Sequence, residues 1–223
     1  MNLMPVWISL QLAAVTVVVL LVVGTPLAWW LAVSKSRLQM VVDALVALPL
    51  VLPSTVLGFY MLMLLGPQGP IGGPWFEVTG TTLTFSFAGL VVTSVVYSLP
   101  FVVQPLRDAF RSVGAAPMEA AAVLGARPLD AFITVACPLA GRGFLTASVL
   151  GFAHTLGEFG AVLMVGGSIP GETRVVAIAI YEHVERLEYG SAHLLSAGLL
   201  AFSFFVLLTV YAINRRTRPG AGR

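Results

Sequence analysis

Long apolar runs with few charged residues alternate with short polar segments along the chain. The hydrocarbon core of a bilayer is about 30 Å thick, so a helix needs roughly 20 mainly apolar residues to cross it. Five runs meet this condition, and the sequence predicts membrane spans over residues 5–33, 43–65, 83–106, 143–167 and 191–213. The runs lack the period-two alternation of membrane strands. We therefore predict helices, which satisfy their backbone hydrogen bonds within each segment.

The composition supports a membrane protein. Of the 223 residues, 58% are hydrophobic and only 10% are charged, whereas soluble domains have about 25% charged residues. The mean hydropathy is +0.95. These values exclude an ordinary soluble enzyme, a disordered chain and a fibrous repeat. We predict one all-α transmembrane domain that comprises residues 1–223.

The distribution of lysine and arginine predicts the orientation of the spans. Short cytoplasmic loops of membrane proteins are enriched in these residues. With the N-terminus outside and the C-terminus inside, only Arg174 and Arg186 of the twelve basic residues lie outside. The inner loops and the tail then contain Lys35, Arg37, Arg107, Arg111, Arg127, Arg142, Arg215, Arg216, Arg218 and Arg223. We predict the N-out, C-in orientation because the reverse one would invert this bias.

The sequence lacks the motifs of an enzyme. Its single lysine, Lys35, lies in the context VSKSR, which does not match the phosphate-binding pattern GxxxxGK[ST]. Cys137 is the only cysteine, and His154, His183 and His193 are not spaced as metal ligands. We predict no catalysis by the chain alone, no cofactor, no metal site and no nucleic-acid partner. Active transport would then need energy from a partner or an ion gradient.

A long connection, residues 107–142, separates the third and fourth predicted spans and lies on the cytoplasmic side. Pro117 is favourable in the first turn of a helix, and Gly125 is placed to end that helix in the left-handed conformation. Pro128 opens a second short helix, and Pro138 begins the next span. We predict two short helices at an angle, exposed to the cytosol.

The spacing of residues within this connection resembles a known motif. Glu-Ala-Ala at 119–121 is followed by three residues, a glycine, nine residues and Val-Ala-Cys-Pro at 135–138. This pattern resembles the EAA loop of ABC importer permeases, although Val135 and Cys137 replace the isoleucine and leucine of that pattern. The resemblance implies that the loop docks into a groove on an ATP-binding subunit, with the coupling residues Glu119, Ala120, Ala121, Gly125, Val135 and Pro138. A solvated connection with a chance EAA sequence is the alternative.

Four further segments resemble the permease subunits of molybdate importers, within the family of binding-protein-dependent transport inner membrane components. They are residues 23–29, 48–58, 157–162 and 169–174. The resemblance implies a type I ABC importer permease in the bacterial cytoplasmic membrane, with lipid around its spans. It also implies a homodimer that binds two ATP-binding subunits and a periplasmic molybdate-binding protein. Sulfate, thiosulfate or tungstate is the alternative cargo, and a secondary transporter or channel is the alternative from another class.

Polar residues within the predicted spans are candidates for the translocation path or its gate. A carboxylate inside a span is costly and is a functional candidate by default, so Glu158 is a candidate gate. A structural hydrogen bond is the alternative for Glu158. Ser54, Thr55, Ser148 and Thr155 carry hydroxyls, which suit an anion better than acids do. The alternative for these hydroxyls is a bond to the backbone or to a neighbouring helix.

Two outer segments are candidate docking surfaces for the binding protein. One is the loop 66–80, and the other is the acidic segment 172–190, which contains Glu182, Glu185 and Glu188. A solvated amphipathic helix is the alternative for the acidic segment, and its first part is apolar enough to dip into the bilayer.

Overall fold

The regular elements of the chain are helices throughout residues 3–216, the part that the computed structural model describes. The chain is 80% helical and has no strand in that part, which confirms the all-α prediction. In chain order the helices are α1 (Met4–Val33), α2 (Arg37–Ala47), α3 (Ser54–Leu65), α4 (Gly72–Thr79), α5 (Phe87–Val113), α6 (Ala116–Val123), α7 (Pro128–Ala131), α8 (Cys137–Leu139), α9 (Gly141–Gly157), α10 (Gly160–Gly166), α11 (Val176–Glu185) and α12 (Tyr189–Arg216). Predictions on the tail residues Arg218 and Arg223 lie outside the described residues.

Three helices, α1, α5 and α12, are each long and apolar enough to cross a membrane. The α2/α3 segment and the α7–α8/α9 segment are bent, by 110° and 72° respectively, and counting each as one span gives up to five spans. The predicted first and fifth spans, 5–33 and 191–213, therefore correspond closely to α1 and α12.

The second predicted span, 43–65, is not one helix. Helix α2 ends at Ala47, a 3-10 turn covers Leu48–Leu50, and α3 begins at Ser54. Pro49 and Pro53 explain the break, because proline lacks the backbone N–H that a helix interior needs and clashes with the preceding turn. The sharp bend carries α3 away from the direction of α2.

The third predicted span continues further than expected. Helix α5 runs to Val113 instead of ending at residue 106, so the connecting loop begins at Gly114 and not at Arg107. Two arginines are accommodated in this extension by polar contacts. Arg107 forms an ion pair with Asp43 of α2, and Arg111 Nη2 donates to the carbonyl oxygen of Leu31 at 3.4 Å.

The fourth predicted span is interrupted near its outer end. Helix α9 ends at Gly157, and α10 begins at Gly160. Glu158 therefore lies in a break between two helices, whereas the sequence predicts it within a continuous span. Its backbone is extended at this point, with φ −73° and ψ 133°.

The core forms where α1, α5 and α9 meet. Its largest cluster of buried side chains contains Leu20, Ala28, Leu31, Val46, Val102, Val103, Leu106, Phe110, Ala136, Ala140 and Ala147. Helix α10 packs against α3 in a second cluster, which contains Leu57, Met61, Leu65, Ala161 and Val165. By contrast, only 11% of the most apolar window of α12 is buried. Lipid or another subunit must cover this helix in a membrane.

Candidate functional site

Helix α6 ends in the cap that the sequence predicts. Gly125 has φ +85°, in the left-handed region. Its N–H donates to the carbonyl of Ala122 at 3.0 Å, and the N–H of Ala126 donates to the carbonyl of Ala121 at 3.0 Å. These are the two bonds of a Schellman motif, which satisfies carbonyls at the end of a helix. The chain can then turn sharply towards α7.

The second short helix is less regular than predicted. It consists of α7, a π-helical stretch over Phe132–Ala136, and α8. Val135 is half-buried and Pro138 is exposed. Cys137 packs partly against the main core cluster. This second arm therefore anchors the loop to the helix bundle, and the bend at Ala140 leads directly into α9.

The candidate coupling residues differ in exposure. Glu119, Ala120 and Gly125 are exposed, whereas Ala121 is only 9% exposed and contacts its own chain. Ala121 is therefore covered by its own chain, and its role in coupling remains a prediction. Sequence reasoning missed an exposed apolar patch, the loop patch, made of Val123, Leu124, Leu129 and Ile133. Apolar residues in a connection predicted to face the cytosol were the signal that could have found it.

An aromatic cluster connects the loop to the long helices. The ring of Phe132 lies 5.2 Å from that of Trp29 in α1 and 5.8 Å from that of Phe110 in α5. Phe110 also contacts Trp29 at 5.3 Å and Phe144 of α9 at 5.9 Å, both edge to face. Because tightly packed side chains transmit displacement, a force on the loop reaches three helices through this cluster.

A polar cluster lies between α5 and α9 inside the bundle. The hydroxyl of Ser98 is 2.9 Å from His154 Nδ1 and 3.0 Å from Thr155 Oγ1. The ring of His154 stacks on Phe101, with centroids 3.8 Å apart. His154 is therefore both hydrogen-bonded and packed inside the bundle. Sequence reasoning missed Ser98, whose only signal is a polar residue within an apolar run.

Glu158 caps the short helix α10. Its Oε1 accepts a hydrogen bond from the N–H of Ala161 at 2.8 Å, and the residue is only 7% exposed. A Cβ at Gly160 would lie 2.3 Å from the hydroxyl oxygen of Ser54, so any larger residue would force the Ser54 side chain to move at this close approach of α3 and α10. Tyr97 of α5 lies close to both Ser54 and Glu158.

The structure thus brings together three of the five candidate path residues, Ser54, Thr155 and Glu158. They lie where α3, α5, α9 and α10 meet, beside Tyr97 and Ser98, which the sequence did not indicate. Thr55 is exposed on α3. Ser148 donates to the carbonyl of Phe144 at 2.7 Å, and Thr155 donates to the carbonyl of Gly151 at 2.9 Å, as the alternative for a membrane-helix hydroxyl predicts.

Comparison with known proteins now defines the class of protein. The chain belongs to the family described as binding-protein-dependent transport system inner membrane component, which matches residues 24–219. It is therefore a transport permease subunit and a multi-pass protein of the cytoplasmic membrane.

Named relatives are similar over most of the chain. The molybdenum transport system permease protein ModB of Azotobacter vinelandii is 58% identical over 213 residues, which cover 96% of this chain and 94% of that protein. ModB of Escherichia coli K12 is 34% identical over 220 residues, covering 98% and 96%. The sulfate transport system permease protein CysT of Synechocystis is 33% identical over 194 residues, covering 87% and 68%.

Solved structures share the fold. The MetNI methionine ABC transporter in inward-facing conformations matches with a TM-score of 0.71 at 19% identity, covering 96% of this chain and 95% of that chain. A bacterial alginate ABC transporter, in complex with its alginate pentasaccharide-bound periplasmic protein, matches with a TM-score of 0.76 at 15% identity, covering 96% and 78%. These structures confirm the predicted importer permease fold.

Proposed function

We propose that this chain is the permease subunit of an ATP-binding-cassette importer that moves molybdate into the bacterial cytoplasm. The proposal includes a homodimer, two ATP-binding subunits and a periplasmic molybdate-binding protein. One observation carries it: a chain that is 58% identical to a molybdenum transport permease presents an EAA-type segment with an exposed apolar patch. Family membership argues against a secondary transporter or a channel.

The import of a dianion requires a coupled energy source. Moving one negative charge inward against a potential of 100 mV costs about 2.3 kcal/mol, so a dianion costs about 4.6 kcal/mol. The chain has no phosphate-binding motif of its own. Energy therefore comes from nucleotide hydrolysis in the partner subunits.

The loop is the proposed site of that coupling. Its capped turn at Gly125 orients the loop patch, and burial of Val123 and Leu124 against an ATP-binding subunit removes apolar surface from water. When the two ATP-binding subunits close, they displace the loop. Phe132 then transfers the displacement to Trp29 and Phe110, and so to α1 and α5.

The polar cluster is the proposed part of the translocation path. The hydroxyl of Ser54 can donate a hydrogen bond to an oxyanion that has lost part of its hydration. Thr155 already donates to the carbonyl of Gly151 and remains a candidate by position. Glu158 would repel a dianion, so its proposed role is to hold the break before α10 and to let the gate move there. Thr55 and Ser148 remain candidates for the path by position alone.

Sulfate, thiosulfate and tungstate are the competing cargoes in the same class. The similarity to a sulfate permease covers 68% of that protein, whereas the similarity to ModB of Azotobacter vinelandii covers 94% at much higher identity. These differences favour molybdate. Tungstate has nearly the same shape and charge, and only a binding measurement separates the two.

Reconstitution tests the proposal. The permease, its ATP-binding subunit and its binding protein are placed in vesicles, and uptake of molybdate is measured with sulfate and tungstate as competitors. We expect uptake only with ATP and binding protein, with sulfate a poor competitor. Uptake by the permease alone, or preference for sulfate, would contradict the proposal.

A further inference from the structure

A cavity opens at the end of the bundle where α1 begins, α11 ends and α12 begins. Its volume is about 200 Å³, and it is lined by Pro5, Arg174, Ala179, His183, Arg186, Ser191 and Leu195. These positions belong to the outer segment 172–190 or to the predicted outer ends of the first and fifth spans. Cargo for an importer arrives from this side.

Charges are unevenly distributed around this cavity. The segment 172–190 contains four glutamates and two arginines, so it is acidic overall. Within the described part of the chain, however, the cavity lining includes both arginines and His183 but none of the glutamates. The wall of the cavity is therefore basic, although the segment that builds it is acidic.

Glu182 neutralises only part of this basic wall. Its carboxylate forms an ion pair with Arg174 Nη2 and lies 3.8 Å from Arg186 Nη2, and it accepts a hydrogen bond from Ser168. One carboxylate thus serves two guanidinium groups. The Nε of Arg174 is buried and has no hydrogen-bond partner. The two guanidinium groups at the cavity share one carboxylate, so the cavity wall retains positive charge.

The other glutamates of α11 and the following turn are engaged elsewhere. Glu185 accepts a hydrogen bond from the hydroxyl of Tyr181 at 2.6 Å. Glu188 lies 2.6 Å from His183 Nδ1, and half of its side chain is exposed. Neither acid is among the residues that line the cavity, and both remain candidates for contact with the binding protein.

We propose that this cavity, the outer cavity, binds a tetrahedral oxyanion before it enters the path between the helices. Guanidinium groups bind oxyanions through directed, charge-assisted hydrogen bonds. A basic wall also raises the local concentration of an anion. That the anion is the cargo itself rests on the proposed function, whereas binding of an oxyanion does not. A lipid phosphate has the same chemistry, and the experiment below separates the two sources.

Cysteine labelling measures the charge and the occupancy of the outer cavity. Cys137, the single native cysteine, is changed to serine. One new cysteine is placed in the lining by Ser191→Cys, and a matched control cysteine is placed in the exposed outer loop by Gln68→Cys. The permease is purified with its ATP-binding subunit and reconstituted in nanodiscs of zwitterionic lipid. Rates of modification are measured with an anionic and a cationic methanethiosulfonate reagent.

We expect the anionic reagent to be favoured at position 191 relative to position 68. Arg186→Gln should lower the ratio of the anionic to the cationic modification rate at position 191 about fivefold. This is the effect expected in water when one unit charge, about 8 Å away, attracts one reagent and repels the other. Arg174→Gln should act in the same direction. Arg37→Gln, on the predicted inner side, should leave the ratio unchanged. If Arg174→Gln does not assemble, Arg186→Gln carries the test.

Occupancy is tested by protection with tungstate or molybdate in the same nanodiscs. Either anion should slow modification at 191 and not at 68, and Arg186→Gln should weaken this protection. A cationic preference at 191, or protection only by added anionic lipid, would overturn the inference. Protection of position 191 without ATP-driven molybdate uptake in vesicles would contradict only the proposed function. Molybdate uptake without protection of position 191 would contradict only the binding of an oxyanion in the outer cavity.

Discussion

Gly125 offers a direct test of the coupling loop because its requirement for glycine is conformational. It is exposed, and no heavy atom lies within 4 Å of an added Cβ, so a side chain meets no clash within this chain. Its φ of +85° nevertheless disfavours other residues. Alanine in the left-handed region costs about 1–2 kcal/mol, whereas asparagine and aspartate tolerate it better.

This conformational cost predicts a lower affinity for the ATP-binding subunit. If docking requires the capped loop, a loss of 1–2 kcal/mol in its stability lowers affinity by up to about 5–30-fold. Gly125→Asn should lose less than Gly125→Ala. Gly125→Asp has the same shape as Gly125→Asn but adds a negative charge near the C-terminus of α6, which costs about a further 0.3–1 kcal/mol.

The assay is titration of the purified permease in detergent with its ATP-binding subunit, together with co-purification from membranes. The expected order of affinity is wild type, then Gly125→Asn, then Gly125→Ala, with Gly125→Asp weaker than Gly125→Asn. We expect Gly125→Asp to be lost from the complex on co-purification. If Gly125→Ala binds as tightly as wild type, the Schellman turn is not needed for docking. If Gly125→Asn is the weakest variant, size and not backbone conformation governs the contact.

The remaining predictions concern two polar contacts inside the bundle. Glu158→Gln retains an oxygen that can accept from the N–H of Ala161, so assembly should persist while molybdate uptake falls; normal uptake would remove the gating role. Glu158→Ala removes the cap and should lower stability by about 1 kcal/mol, seen as a lower Tm in detergent. In a double-mutant cycle on thermal unfolding, Arg107→Gln and Asp43→Asn should show coupling of about 1 kcal/mol, because the pair is largely shielded from water. Additive effects would show that the pair does not hold α2 to α5.

Local features of the sequence predicted local features of the structure. The left-handed cap at Gly125 was predicted because it depends on residues within five positions of each other. Pro49 and Pro53 are local signals of the same kind, and the chain bends there. The break at 158–159 was not predicted, since residues 143–167 form one apolar run that nothing but a single carboxylate interrupts.

Contacts between distant segments could not be predicted in the same way. Arg107 and Asp43 are 64 residues apart, and Ser98 and Thr155 are 57 residues apart. Each of these residues is one of several polar residues with no periodicity that indicates its partner. The basic lining of the outer cavity could not be predicted either, because the segment that forms most of it is acidic by composition.

The sequence by itself determined where the chain is apolar enough to enter a membrane, and it specified the turn that ends α6. These properties depend on hydrophobicity and backbone preference, which act over a few neighbouring residues. Only the tertiary structure decided which hydroxyls and carboxylates meet, where Glu158 breaks its span, and which charges face the outer cavity. Those outcomes depend on how closely helices approach one another, as at Gly160 and Ser54, and no local pattern encodes that distance.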